Sequence, residues 1–330
     1  MKKIVVLILL IIINCFANGE NIKLWSGENG KLVKIILKEA DSTFEKIVFL
    51  EKGDIFFESD CDSILININN NKVKKFEEIL INNVLLASYY KEKSILFNDY
   101  SIGLLEFNIE KGTVRKIGNL NTDDLNEIFY NKFNDTIIFT NIDNYNVYDI
   151  KRKKIIKEGK RDAKQVMDIC FSPDGKYIIM GNNGGEVLIR DSKTDKTEKK
   201  IELNGSSYIM KYTPDGKSLV CGDVDGNIYY IDAVTKKVVK KFKAHKGVVM
   251  TIDFNSDGTK MVTGSGYSSE MKTTDDRVKV WNVSDGKQLF EMKMDMNKEN
   301  ESAYGAAFTP DGKYIVTYPT YCRTIYEFGD

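Results

Sequence analysis

Short apolar–polar alternations, separated by turns rich in glycine and aspartate, run along most of this chain, and one stretch spells the unit out almost in full. Residues 244–282 read AHKGVVMTIDFNSDGTKMVTGSGYSSEMKTTDDRVKVWN. A polar loop carrying His245 leads into an alternating run through Val249, Thr251, Ile252 and Phe254, and an SDG turn at Ser256–Gly258 closes it. A second run at Met261–Thr263 leads to another polar loop, and a third run ends at Trp281. Period-two alternation bounded by turn residues predicts antiparallel strands joined by hairpins.

The unit recurs. The residue before each first turn can be tracked as Val48, Tyr89, Tyr130, Phe171, Tyr212, Phe254 and Phe308, in steps of 41, 41, 41, 41, 42 and 54. The residue at the Trp281 position runs Trp25, Ile66, Phe107, Tyr148, Arg190, Ile231 and Trp281, in steps of 41, 41, 41, 42, 41 and 50. FSPDGKYI (171–178), YTPDGKSL (212–219), FNSDGTKM (254–261) and FTPDGKYI (308–315) each place an Asp-Gly turn between two apolar runs. The first three periods lack that turn and keep only the spacing and the alternation. No linker interrupts either track, so residues 18–330 read as one repeat domain.

On these residues the chain resembles the WD-repeat family. His245 matches the family's histidine before the inner strand, and Phe254 with its SDG turn matches F-S-P-D-G. Thr263, Asp275 and Trp281 match its Ser/Thr, Asp and Trp, although Asn282 stands where the family usually has Asp. The resemblance implies that His245, Thr263, Asp275 and Trp281 hydrogen-bond to one another as a structural tetrad, not a catalytic one. A period near 41 with four short strands marks a propeller blade. The expected fold is all-β: a seven-bladed β-propeller of four-stranded antiparallel blades, its ring closed by an N-terminal strand. Ile22–Trp25 and Leu32–Leu37 read as the last two strands of a shared blade, with Leu32–Leu37 as the closing strand. Ala303–Phe308, Tyr314–Thr317 and Arg323–Phe328 read as its first three.

Residues 1–17 form a segment of their own. Lys2 and Lys3 precede the apolar run Ile4–Ile13, and Asn14, Cys15, Phe16 and Ala17 follow. A basic start, an apolar core of ten residues and a small-residue exit describe an export signal, too short for a comfortable membrane span. Cys15 resembles the acylated cysteine of bacterial lipoproteins, with Asn14 off that pattern. Cleavage after Ala17 is the competing reading. The expected location is the cell envelope if Cys15 carries lipid, and soluble periplasm or medium if it does not.

Charge changes the picture by subtraction. Lys+Arg and Asp+Glu are 48 each, which gives no basic field for nucleic acid. Lysine pairs at 74–75, 153–154, 199–200, 236–237 and 240–241 fall on the expected outer strands, where lysine discourages edge pairing; a basic rim for an anionic surface is the functional alternative. His245 is the one histidine, and no G-x-S-x-G or phosphate-binding glycine loop is present. Cys61, Cys170, Cys221 and Cys322 are too scattered for zinc. No cofactor is called for, and no catalytic residue is assigned. Aspartates recur before the third strands, with Asp225 and Asp275 both six residues before their tryptophan position, the place of the family's structural aspartate.

The period breaks in two places. Phe254 and Trp281 are 27 residues apart against 19 in the two earlier units, which enlarges the loop Ser265–Asp276. Trp281 to Phe308 is again 27 against 22 and 23, which enlarges Met294–Ser302. Long loops on a rigid scaffold commonly carry recognition, and Tyr267, Met271, Met294 and Met296 are adaptable apolar contacts. The expected role is binding or scaffolding a protein partner, with tolerated insertions as the bland alternative. Two other readings stay open: an envelope assembly propeller of the outer-membrane biogenesis or Tol kind, and a metal-dependent propeller lactonase or hydrolase. For the first, residues 226–242 resemble quinoprotein-type repeats without their tryptophan; the second needs acidic and amide ligands converging from several blades.

Overall fold

A computed structural model describes residues 20–28, 31–40, most strand segments from 46 to 160, 166–266, 275, 277–294 and 303–320. The first strands among the described residues are β1 (Glu20–Ser26) and β2 (Leu32–Ala40). There follow β3 (Lys46–Phe49), β4 (Asp54–Glu58), β5 (Ser63–Asn67), β6 (Val73–Lys75), β7 (Val84–Lys91), β8 (Ser94–Asp99), β9 (Gly103–Asn108) and β10 (Thr113–Lys116). Next come β11 (Glu127–Asn131), β12 (Thr136–Thr140), β13 (Asn144–Asp149), β14 (Lys154–Lys160), β15 (Val166–Phe171), β16 (Tyr177–Asn182), β17 (Glu186–Asp191) and β18 (Thr197–Glu202). The remainder are β19 (Ser207–Tyr212), β20 (Ser218–Asp223), β21 (Asn227–Asp232), β22 (Val238–Lys243), β23 (Val249–Phe254), β24 (Lys260–Ser265), β25 (Arg277–Asn282), β26 (Gln288–Lys293), β27 (Ala303–Phe308) and β28 (Tyr314–Thr320).

Each period folds into one four-stranded antiparallel sheet whose strands neighbour one another in chain order, as in β23-β24-β25-β26. The three early periods without Asp-Gly turns do the same, so alternation and spacing suffice to specify the unit. Where the turn is present its chemistry is uniform. Gly175, Gly216, Gly258 and Gly312 adopt φ near +70°, a region open to glycine at little steric expense. The preceding aspartate then accepts the backbone N–H two residues on, as from Lys176, Lys217, Thr259 and Lys313.

The core lies between successive sheets. One cluster joins Val220, Ile228 and Tyr230 of one sheet to Val249, Ile252, Phe254, Met261 and Trp281 of the next. Phe242 packs tilted against Trp281 across that seam, with ring centroids 5.0 Å apart and ring planes at 48°. Polar bonds fix the seams too. Asp168 accepts the N–H of Met210 at 2.6 Å, and Asp253 accepts that of Phe308 at 2.8 Å. Thr251 accepts from Ala306, so β23 and β27 run side by side in the same direction.

The two chain ends share a sheet ordered β2-β1-β28-β27. β1 pairs with β28 through Lys23–Thr317, Leu24–Val316, Trp25–Ile315 and Ser26–Tyr314. Two readings of the ends need correction. The strand that meets the C-terminal segment is β1, and β2, which contains residues 32–37, is the outer strand. β28 has β27 on one edge and β1 on the other, which leaves no edge of β28 for 323–328; residues 321–330 lie outside the described set.

Among the described residues, the outer strands β10, β18, β22 and β26 are exposed along most of their length. Some of their lysines are engaged within the fold. Lys236 stands over the Tyr177 ring at 4.0 Å and bonds Glu198, Lys200 pairs with Glu186, and Lys240 donates to the carbonyls of Val283 and Ser284. Structural use on the edge accounts for Lys200, Lys236 and Lys240.

Candidate functional site

The histidine unit contains the best-formed polar arrangement among the described residues. His245 is 1% exposed, Thr263 0%, Trp281 5% and Asp275 6%. Trp281 Nε1–H donates to Thr263 Oγ1 at 2.8 Å, and that oxygen lies 2.7 Å from His245 Nε2. His245 Nδ1 lies 3.0 Å from Asp275 Oδ2. Indole N–H only donates, so the threonine oxygen accepts from Trp281 and its own proton goes to His245 Nε2. The ring is then neutral with its proton on Nδ1, aimed at the carboxylate. Burial holds His245 below its ordinary pKa against the pull of Asp275, which agrees with that tautomer. Burial alone would raise Asp275, but the bonds from His245 and Lys279 outweigh it and leave the carboxyl well below its usual range.

Lys279, which sequence spacing did not single out, completes the arrangement. Its Nζ reaches Asp275 Oδ2 at 3.1 Å and the Ala244 carbonyl at 2.8 Å. The Lys246 N–H adds a bond to the same oxygen at 3.2 Å. The tetrad residues of the sequence are thus brought together by bonds from Trp281 through Thr263 and His245 to Asp275 Oδ2. A nucleophile and an open approach for substrate are not among its features: the relay ends in a tryptophan packed against Phe242.

Acid should weaken this unit. With its folded-state pKa lowered, His245 binds fewer protons in the folded chain than in the unfolded one, whose value is about 6.5. Stability is therefore complete above about pH 6.5 and declines as pH falls beneath it. Asp275, also lowered, adds a loss of the same sign once pH falls below 3.8. We expect the urea midpoint at pH 5 to lie below that at pH 7.5, with His245→Gln removing most of the difference. An undiminished slope in the variant would assign the acid sensitivity elsewhere.

Neighbouring sheets solve the same problem differently. Cys221 and Met180 stand in line with Thr263, and Ile231 and Arg190 with Trp281, so no relay forms. In the β19–β22 sheet the fully buried carboxylate is Asp223, not Asp225. Asp223 accepts from Asn227 N–H, Asn227 Nδ2 and the Tyr229 hydroxyl at 2.7, 2.8 and 3.0 Å. Asp225 lies in the turn, where its carbonyl takes the Lys243 ammonium. Asn182 takes the equivalent role in the preceding sheet, accepting from Gly184 and Glu186. Arg190 pairs with Asp195 at 3.1 Å, and the Tyr145 hydroxyl donates to the same carboxylate. Cys170 and Cys221 are unbridged, and burial pushes both thiols up, which suits inert core residues.

The loop residues fall out as follows. Met294 is 2% exposed and packs with Val278, Val280, Met292 and Phe308, so it is removed from the recognition surface: its thioether fills the seam between two sheets. Tyr267, Met271 and Met296 lie outside the described residues, as does Cys15. Among the described residues no group of three or more His, Cys, Asp or Glu side chains is arranged to hold a metal ion. Among them, too, no helix is long and apolar enough to cross a membrane.

Both insertions open at one end of the sheets. Val249 at the start of β23 pairs with Ser265 at the end of β24, and Arg277 at the start of β25 pairs with Lys293 at the end of β26. β27 begins beside β23 and runs parallel to it. The bond from His245, before β23, to Asp275, before β25, ties the two kinds of loop together at that end.

Comparison with known proteins meets the geometry at this unit. The family model described as "WD domain, G-beta repeat" matches residues 153–191 and 236–282, the second span containing the whole relay. The model described as "Anaphase-promoting complex subunit 4 WD40 domain" matches residues 204–257. A protein of Acanthamoeba polyphaga mimivirus described as "Putative BTB/POZ domain and WD-repeat protein" is 26% identical over 253 residues, 73% of this chain and 44% of that protein. The chain thus spans less than half the length of this relative. Together with antiparallel four-stranded sheets in repeat, these matches support the WD-repeat propeller family for this chain.

Proposed function

We propose that the chain is an exported, lipid-anchored propeller that holds a protein partner on the sheet end carrying its two insertions. Seven four-stranded sheets, one of them shared by β1 and β28 from the two chain ends, support reading the sheets as the blades of a closed ring. WD-repeat propellers typically serve as interaction scaffolds, and the relay described above is spent on holding loops. The observation that carries the reading is the shared opening of 265–276 and 294–302 at one end, flanked by the tetrad and by buried Met294. Rigid ends let long loops present contacts without a large ordering cost at their roots. Lys2, Lys3, the apolar run and Cys15 support export and acylation.

The test begins with intact mass of the protein from membrane and soluble fractions. Acylation of Cys15 in the membrane fraction is expected; a chain that begins at Asn18, or one that retains Met1 in the cytosol, overturns the anchor. Photo-crosslinkers at Tyr267 and Met296 should then capture the same partner, and the adduct from Met296 should be lost when 267–274 is replaced by a short Gly-Ser turn. An adduct that survives that replacement, or one equally strong from a probe at Val234 at the far end, overturns the scaffold reading.

A further inference from the structure

We infer that the sheet end carrying the insertions faces the lipid surface at close range. The inference rests on acylation of Cys15 as proposed above and adds an orientation to it. β1 starts at Glu20, so only Phe16, Ala17, Asn18 and Gly19 separate it from Cys15. Five Cα–Cα steps span at most about 18 Å when fully extended. The start of β1 is therefore held within that distance of the lipidated residue.

The end of the molecule so held is set by strand pairing. Lys23 of β1 lies opposite Thr317 and Ser26 opposite Tyr314, so the start of β1 lies toward Thr320. Thr320 in turn pairs with Ala303, the first residue of β27. β27 starts beside β23, whose first residue meets the end of β24. The anchored strand therefore emerges at the same end as the loops after β24 and β26. The loops 203–206 and 244–248 belong to this end as well, since Ala244 and His245 donate to the Gly226 carbonyl and Val224 to that of Ser206.

Charge does not decide the orientation. Exposed residues at that end include Lys243, Lys246 and Lys293 beside Glu202 and the neutral Asn183 and Asn204. This small cationic excess among the described residues does not oppose the orientation, and the short tether imposes it. A six-residue strand spans about 20 Å, so the two ends differ in height by more than the tether can blur.

Acylated full-length protein in phosphatidylethanolamine–phosphatidylglycerol vesicles with a rhodamine-labelled lipid tests this. A fluorescent amino acid replaces Asn204 at the near end or Val234, 87% exposed, at the far end. Energy transfer to the bilayer is expected to be several-fold stronger from position 204. Inserting twenty Gly/Ser residues after Ala17, a coil of roughly 25 Å, should erase most of the difference. Equal or reversed transfer on protein whose mass confirms acylation overturns the orientation and leaves the anchor standing. A difference that persists with the long spacer overturns the tether as its cause. Unmodified Cys15 removes both.

Discussion

Replacing Gly226 by alanine is expected to remove about 4 kcal/mol of unfolding free energy, against about 1 kcal/mol for Gly258→Ala. The two glycines have similar backbone angles, φ +82° and +71°. Leaving glycine at such an angle costs about 1–2 kcal/mol by itself. What differs is the surroundings. A Cβ on Gly226 would come within 2.3 Å of the His245 carbonyl oxygen and 2.5 Å of that of Gly247. On Gly258 it would meet only Pro214 side-chain carbons, at 3.3 Å and beyond. Backbone oxygens cannot step aside as a side-chain tip can. The segment 244–247 must move, breaking the bonds from Ala244 and His245 to the Gly226 carbonyl and carrying the ring away from Thr263. Paired urea titrations of the two variants measure this. Equal losses would mean that the loop relaxes freely and that Gly226 matters only for its angle.

Such contacts explain what could and could not be read along the chain. The repeat was legible because alternation with period two is imposed by the sheet itself, and because Asp-Gly turns need their glycine angle. It remained legible in the early periods, where Val48, Tyr89 and Tyr130 lack the turn, since those periods keep their strands at the same spacing and pair them into the same four-stranded sheet. The tetrad was legible through resemblance, each residue at its family position. Lys279 was not, because a lysine on an alternating strand looks the same whether it reaches solvent or a buried carboxylate. Counting back from the tryptophan position pointed to Asp225, yet the last residue of β20 turns inward, and Asp223 meets Tyr229 there. Met294 was placed in a loop by spacing alone; the seam between sheets claims one residue beyond β26. At the chain ends, the sequence placed β1 and β2 in a sheet shared with the C-terminal strands, but spacing could not show that β1 takes the edge of β28 directly and leaves none for 323–328.

Thr263→Val is expected to cost about 3 kcal/mol even though the side chain keeps its shape. The hydroxyl stands between two buried nitrogens, Trp281 Nε1 at 2.8 Å and His245 Nε2 at 2.7 Å. Valine strands both: the indole N–H loses its acceptor and the imidazole nitrogen its donor. A buried polar group left without its bond costs roughly 1–3 kcal/mol. Trp281→Phe should cost about 2 kcal/mol on its own, from lost packing against Phe242 and from a hydroxyl left with one partner fewer. The double variant is the informative one. Once Thr263 is valine, the indole N–H is already orphaned, and phenylalanine removes that orphan along with the tryptophan. The pair should therefore lose about 1–2 kcal/mol less than the two single changes added together. The neighbouring sheet already carries an arrangement of this kind, with Cys221 and Ile231 in one apolar cluster and neither residue calling for a relay. Strict additivity in urea unfolding would show that Thr263 and Trp281 act separately, and would reduce the relay to a set of short distances without coupling.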